Sequence, residues 1–230
     1  MKFRSAYIAS ALVTAVAVAS PAAAQETDWS QRVTNSAMGG HVMGNPLAKH
    51  KLAEYMSYTC NHCAAFEKDS HTALTANYIK KGHVSFEIRN FILNPIDLTA
   101  AMLARCGGRT KFFGNHRALL LQQSSWLKTF QSTSPGVMKT LNNGTVPERL
   151  KKIAAAAGLD SLMKDRGFSA SQINACLSNK TEQDKILAMT THATKTLKLT
   201  GTPSFTIAGK PLAKVHSWTA LRPNLVALPQ

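Results

Sequence analysis

The residues best placed by type and spacing to do chemistry are two cysteines separated by two residues, Cys60-Asn61-His62-Cys63. The reactive form of a cysteine is the thiolate, so a working cysteine needs something beside it that favours negative charge. Residues 51–58, just before the pair, form a mostly apolar run that reads as a strand. After it, Ala64, Ala65, Phe66, Leu74, Tyr78 and Ile79 fit a helix that starts at the cysteines. Cys60 therefore stands where a strand hands over to a helix, next to unpaired N–H groups and the positive end of the helix dipole. His62 can add a positive or hydrogen-bonding group. Cys63 falls one turn into the helix, where it can close a disulfide with Cys60 or attack a mixed one. The spacing predicts an easily exchanged disulfide with one exposed and one protected sulfur.

Other chemistries use cysteines at this spacing. A zinc site needs two more ligands, and Cys106, Cys176 and the scattered histidines make no second half-site. A purely structural disulfide would have to close inside one helical turn, which is uncommon. Haem attachment needs a histidine directly after the second cysteine, and Ala64 is there. No metal or cofactor is expected, because the cysteine pair itself carries the redox chemistry.

The elements that must position this pair follow from the rest of the chain. Its 230 residues, 44% hydrophobic and 17% charged, suffice for one core that carries a large insertion. Lys2 and Arg4 precede an apolar stretch over residues 6–19, then Ser20-Pro21 and the small residues Ala22-Ala23-Ala24. Residues 1–24 thus read as a cleaved secretory signal peptide, the run being short for a membrane anchor. Without it 25 basic and 12 acidic residues remain, a net charge of +13. Such a surface suits acidic partners or anionic membranes. No basic–aromatic motif of the nucleic-acid kind is present, so no nucleic-acid partner is expected. Export places the chain where disulfides persist, and the two remaining cysteines, Cys106 and Cys176, are expected to form a structural disulfide. A redox relay or a regulatory disulfide is the alternative.

Residues 25–40 read as a polar, irregular arm, 41–46 as a short strand ending in a turn, and 84–93 as a long central strand, with Gly82 ending the helix before it. From Asn94-Pro95 onward the text turns helical, over residues 98–106, 112–130, 148–157, 159–164, 170–177 and 182–199. Gly107-Gly108, Pro135-Gly136, Asn142-Asn143-Gly144 and Gly158 punctuate these helices, and Ser171 looks like part of a helix start. Strands return at 203–207 and 210–215 around an Ala208-Gly209 turn, and a helix over 217–228, capped by Ser217, closes the chain. This is the layout of an α/β domain, residues 25–94 and 180–230, split by an all-helical insertion over 95–179.

Two segments carry a family resemblance. The run from Glu54 to Cys63 resembles the active-site segment of the disulfide-bond oxidase DsbA and its exported thioredoxin-fold relatives. The resemblance implies a thioredoxin fold, a mixed central sheet flanked by helices, interrupted by the helical insertion. It places Glu54 under the disulfide, where it would help move the proton of Cys63; an ordinary strand-end carboxylate is the plainer reading. The run Thr200-Gly201-Thr202-Pro203-Ser204-Phe205 resembles the loop that sets a cis-proline opposite the cysteines in that family. Pro203 would be that proline, and the backbone of Thr202 would pair with the substrate. A proline that merely starts a strand is the other reading.

The gap from Cys63 to Pro203 far exceeds the roughly 40–50 residues that a helix, a strand and a crossover need, and DsbA-like proteins carry an insertion there. By resemblance the chain is a periplasmic, monomeric thiol:disulfide oxidoreductase that oxidises cysteine pairs in unfolded exported proteins through a mixed disulfide on Cys60. A membrane partner of the DsbB kind would reoxidise it. An isomerase or reductase of the same fold, to which Thr202 is a pointer, and a non-catalytic exported binding module are the alternatives. The arm over 25–40 is short for the dimerisation domain of the family's isomerases. Asn61 departs from the proline found in the most oxidising members.

Overall fold

Two apolar runs build the centre of the sheet. β3 (His50–Met56) and β4 (Val84–Asn90) pair in parallel, with Leu52 opposite Phe86 and Glu54 opposite Ile88. A parallel pair needs a crossover, which α1 (Asn61–Leu74) supplies. Its last turn widens into a π-helical segment, Thr75–Ile79, and Gly82 at φ 76° turns the chain back toward β4. β1 (Val33–Asn35) and β2 (His41–Gly44) add to one side of β4, and β5 (Ser204–Ile207) and β6 (Lys210–Pro211) add to the free side of β3. The order is β1-β2-β4-β3-β5-β6, antiparallel except for β3–β4. The computed structural model describes Lys2 and residues 27–226. Apart from Lys2, the signal peptide read over residues 1–24 lies outside the described residues, as do the last two residues of the helix read over 217–228.

Both faces of the sheet are covered, so β3 does not alternate apolar with polar. Leu52 and Met56 join Phe66, Phe86, Ile88 and Phe205 in the main core, while Tyr55 faces the other way, toward Phe91 and Ala193. Phe66 of α1 packs on Phe205 with ring centroids 4.7 Å apart, and it also meets Trp218 at the start of α10 (Trp218–Val226). The helix carrying the cysteines is thereby held to the sheet and to the closing helix.

Between β4 and β5 the chain makes α2 (Pro95–Ala104), α3 (Arg109–Leu121), α4 (Gln123–Gln131), α5 (Pro135–Thr140), α6 (Val146–Ala156), α7 (Leu159–Asp165) and α8 (Ala170–Leu177). α9 (Lys180–Thr191) then returns against β4. This is a thioredoxin fold, a mixed sheet with a helical insertion. α2 is its buried axis, with Ala100, Ala101, Met102, Leu103 and Ala104 all inside. Cys106, just past α2, and Cys176 on α8 are joined by a disulfide with Cα atoms 5.6 Å apart.

The structure departs from the expected elements in several places. The described part of the arm, residues 27–40, is ordered: a 3₁₀ turn at Trp29–Gln31 leads into β1, whose three residues pair with β2. An edge strand this short is stabilised by its partner, so its own composition shows little of it. The helix expected over 112–130 is two helices, broken at Gln122, where φ is −100° and ψ 10°. No glycine or proline marks the break. The Trp126 indole N–H caps the freed Leu119 carbonyl at 2.8 Å, so the compensation is a side-chain contact across the break. Pro135-Gly136 opens α5 instead of separating helices, in keeping with proline's tolerance in a first turn. The cap of α8 is Ser169, in a reciprocal box with Gln172. The strand expected over 210–215 shrinks to two residues.

The Cys106–Cys176 bond closes a separation of 70 residues, which the chain-entropy picture values at about 4 kcal/mol. Replacing both cysteines by alanine is expected to lower stability by that order in guanidinium unfolding, with the exchange rate at Cys60 unchanged. A changed exchange rate would instead support the relay reading.

Candidate active site

Cys60 is the N-cap residue of α1, with extended backbone at φ −87° and ψ 118°. No complete capping bond ties its side chain to the helix, so the sulfur is free to exchange. The N–H groups of His62 and Cys63 are still near enough to favour negative charge on it. The strongest influence is a hydrogen bond from the Cys63 side chain. Together with the Thr202 side chain and the two N–H groups, and against the cost of half-burial, it pulls the Cys60 thiol down to about 5. Cys60 Sγ also stands 3.2 Å from the Thr202 carbonyl oxygen. Only the S–H form can donate there, so the thiolate depends on the other donors.

Cys63 is fully buried. Burial first, then its bond to Cys60 and the charges of Glu54 and Cys60, push its thiol well above the usual range. One sulfur is thus held as thiolate and the other as thiol. Both are free cysteines in the structure. His62 is exposed, and its N–H donates to Asn61 Oδ1 at 2.9 Å, so Asn61 shares a donor that serves the Cys60 sulfur.

Glu54 lies inside on β3, 2% exposed, with Oε1 unpaired. Burial, then the charges of Glu67 and Cys60, raise its carboxyl well above the usual range, which favours its neutral form. The Thr202–Pro203 peptide is cis. Its loop is braced by the Ser204 hydroxyl, which donates to the Gly201 carbonyl at 2.7 Å, and by the His216 ring N–H, which donates to the Pro203 carbonyl at 2.8 Å. The structure therefore brings Cys60, Cys63, Glu54, Thr202 and Pro203 to one place. Cys106 and Cys176 lie apart, in the insertion.

Several residues at this centre were not singled out from the sequence. Asp97, completely buried on α2, accepts from the N–H groups of Tyr58 at 2.7 Å and Leu93 at 2.9 Å. Burial, partly offset by its hydrogen bonds, raises its carboxyl to about 6. Its sequence signal, an acid three residues after Asn94, marks a helix start and says nothing of the cysteines. Gln123 of α4 donates to the carbonyls of Tyr58 and Cys60. Among the described residues no cluster of three or more His, Cys, Asp or Glu side chains could hold a metal, and no helix is long and apolar enough to cross a membrane.

A dithiol at the head of a helix, facing a cis-proline loop over a buried acid, is the centre of a thioredoxin-fold thiol–disulfide protein. A sequence profile of the thioredoxin family matches residues 36–225. The crystal structure of a protein-disulfide isomerase from Novosphingobium aromaticivorans superposes with a TM-score of 0.78 at 36% identity, covering 82% of this chain and 96% of that one. A single-substitution variant of Wolbachia pipientis α-DsbA1 gives a TM-score of 0.56 at 26% identity, covering 75% of this chain and 76% of that one. A Rickettsia conorii protein, provisionally named a protein-disulfide oxidoreductase, is 30% identical over 73% of this chain and 53% of its own length. The chain spans about half the length of the curated relatives it matches. It belongs to the thioredoxin family.

In the reduced protein, the ultraviolet absorbance of the Cys60 thiolate is expected to titrate near pH 5. The folded pKa lies below the unfolded value of about 8.5. The stabilisation it lends the reduced form is therefore complete above that value and lost as pH falls through 5. Denaturant melts of the reduced and oxidised forms should diverge in the reduced form's favour between these limits.

Proposed function

We propose that the chain is an exported thiol:disulfide interchange protein that oxidises cysteine pairs in other exported proteins. The observation that carries this reading is the opposed state of the two sulfurs, Cys60 low and Cys63 high. A stabilised Cys60 thiolate lowers the free energy of the reduced pair, which makes the disulfide a strong oxidant. A substrate thiolate attacks Cys60 of the oxidised pair, forming a mixed disulfide and releasing Cys63 as a thiolate. Cys63 takes a proton, and Glu54, whose burial favours its protonated form, is positioned to supply it. A second substrate thiolate attacks the substrate sulfur of the mixed disulfide, and Cys60 leaves as a stable thiolate. The substrate has lost two electrons and the pair has gained them.

A membrane partner of the DsbB kind would remove those electrons. Periplasmic export rests on the signal peptide read over residues 1–24. Substrates would be unfolded or partly folded, and a largely apolar cavity of about 370 Å³, lined by Ile92, Leu93, Asn94, Leu98, Leu150 and Ile153 among others, lies close by. Asn94 connects it to the centre by donating to Thr59 Oγ1 at 3.0 Å. A second reading, disulfide isomerisation, has its support in the likeness to the Novosphingobium isomerase.

The equilibrium potential against glutathione decides between them, read with insulin-reduction and scrambled-substrate assays. An oxidase should lie well above thioredoxin's roughly −270 mV. A value near thioredoxin's would remove the oxidase reading, and the absence of any redox couple would leave a binding module. Glu54→Leu should raise the melting temperature, because it removes a buried carboxyl group with an unpaired oxygen. It should also slow formation of the mixed disulfide, the step that releases Cys63 and leaves it needing a proton, about tenfold or more. Unchanged kinetics in a stabilised variant would make Glu54 a bystander.

A further inference from the structure

Tyr58 stands two residues before Cys60 and is fully buried, and the insertion holds each of its polar groups. Its N–H donates to Asp97 Oδ1 on α2 at 2.7 Å. Its hydroxyl meets His116 Nδ1 on α3 at 3.0 Å. Its carbonyl accepts from Gln123 Nε2 at the start of α4 at 2.8 Å. The same amide donates to the Cys60 carbonyl, also at 2.8 Å. Three successive helices of the insertion thus converge on one residue of the active-site loop, and the last of them reaches the nucleophile's own peptide.

Docking the insertion on the sheet does not need this pattern, since the shared hydrophobic core already joins them. What the polar contacts add is orientation. Carbonyl oxygens carry partial negative charge, and two of them belong to the short loop that bears the Cys60 sulfur. Gln123 is 5% exposed and spends both amide hydrogens holding those carbonyls toward the insertion. Without Gln123 the Tyr58 carbonyl is freed and the Cys60 carbonyl keeps only its helical bond from the Ala64 N–H at 3.2 Å, in a loop that has to carry a negative sulfur. The N–H groups of His62 and Cys63 would also lose their alignment, because they follow directly from the Cys60 peptide.

We propose that Gln123 is a positioning residue of the redox centre: by fixing the Tyr58 and Cys60 carbonyls it selectively stabilises the reduced form of the Cys60–Cys63 pair. The inference rests on the dithiol reading above. It makes the insertion part of the redox centre as well as a cover for it.

The test is the equilibrium in which two glutathione thiols reduce the protein disulfide and leave oxidised glutathione, measured on the full chain with Gln123→Ala. The variant is expected to shift this equilibrium about tenfold toward the protein disulfide. The Cys60 titration should move up by about one pH unit, the equivalent of that tenfold change. Its reduced form should lose more stability than its oxidised form. Equal losses in both forms with an unshifted equilibrium overturn the proposal, because that is the result of a merely structural contact. Gln123→Glu, which keeps the size but replaces both donors with a charge, should shift the same way by more, and it decides the matter if Gln123→Ala does not fold. Tyr58→Phe removes only the link to His116 and should leave the equilibrium within twofold. A tenfold shift there would trace the effect to general loosening of the loop and overturn the assignment to Gln123. A wild-type protein with no measurable couple would overturn the dithiol reading and this inference together, whereas a normal wild-type couple with an unshifted Gln123→Ala overturns this inference alone.

Discussion

A negative charge on a half-buried sulfur survives only if donors are in place around it before it forms, because the surrounding protein is too dry to supply water in their stead. At Cys60 those donors come from the neighbouring Cys63, from the first turn of α1 and from Thr202 across the sheet. The Cys63 contribution works in both directions. The bond that lowers Cys60 raises Cys63, and burial of Cys63 reinforces the difference. The two thiols have the same chemistry, and their different states follow from position: one caps a helix at the surface and the other lies a turn deeper.

Holding the donors in place involves most of the fold. β3 delivers Cys60 to the head of α1, β4 lies beside β3 so that the loop after it can contact Thr59, and β5 brings the proline loop alongside. Phe66, packed on Phe205, fixes the distance between the helix and the strand that carries that loop. The negative sulfur also lies among buried acids, which the surroundings treat differently. Glu54 is pushed toward its neutral form by burial and by the nearby charge of Glu67. Glu67 stays ionised despite its own burial, because His71 and Arg117 bind it at 3.0 and 2.9 Å and His116 Nε2 stands 3.7 Å away, an ion-pair distance beyond hydrogen-bonding reach. Asp97 shares its oxygens between two backbone N–H groups. Neutralisation, pairing and backbone capping are thus three solutions to one desolvation problem within a few residues of the cysteines.

The insertion shows where sequence patterning loses its hold. Most of its helices, α5 excepted, were visible because their apolar residues recur at helical spacing, and α2 was visible as an Asn-Pro start. The division between α3 and α4 was not. The stretch through Leu120, Leu121 and Gln122 carries residues that favour helix, and the break is compensated by the Trp126 indole across it. That break starts a new helix at Gln123, the residue that reaches the active-site loop. β1 was missed for a related reason: three polar or branched residues form a strand because β2 is there to pair with them.

Of the centre itself, the sequence determined what depends on neighbours along the chain: the cysteine spacing, the handover from strand to helix, the acid six residues earlier, and a proline after Thr202. Covalent spacing and hydrophobic period fix these locally, and they suffice to name the chemistry. Tertiary structure alone decided which groups surround the sulfur. Asp97, His116 and Gln123 come from 39, 58 and 65 residues beyond Tyr58 to meet it. No local pattern records such contacts, because they form only after the insertion has packed its own core and returned its helices to the loop. The protonation state of each cysteine follows from burial and donors assembled in that step, which is why one exposed and one protected sulfur could be read from the sequence and the charge each carries could not.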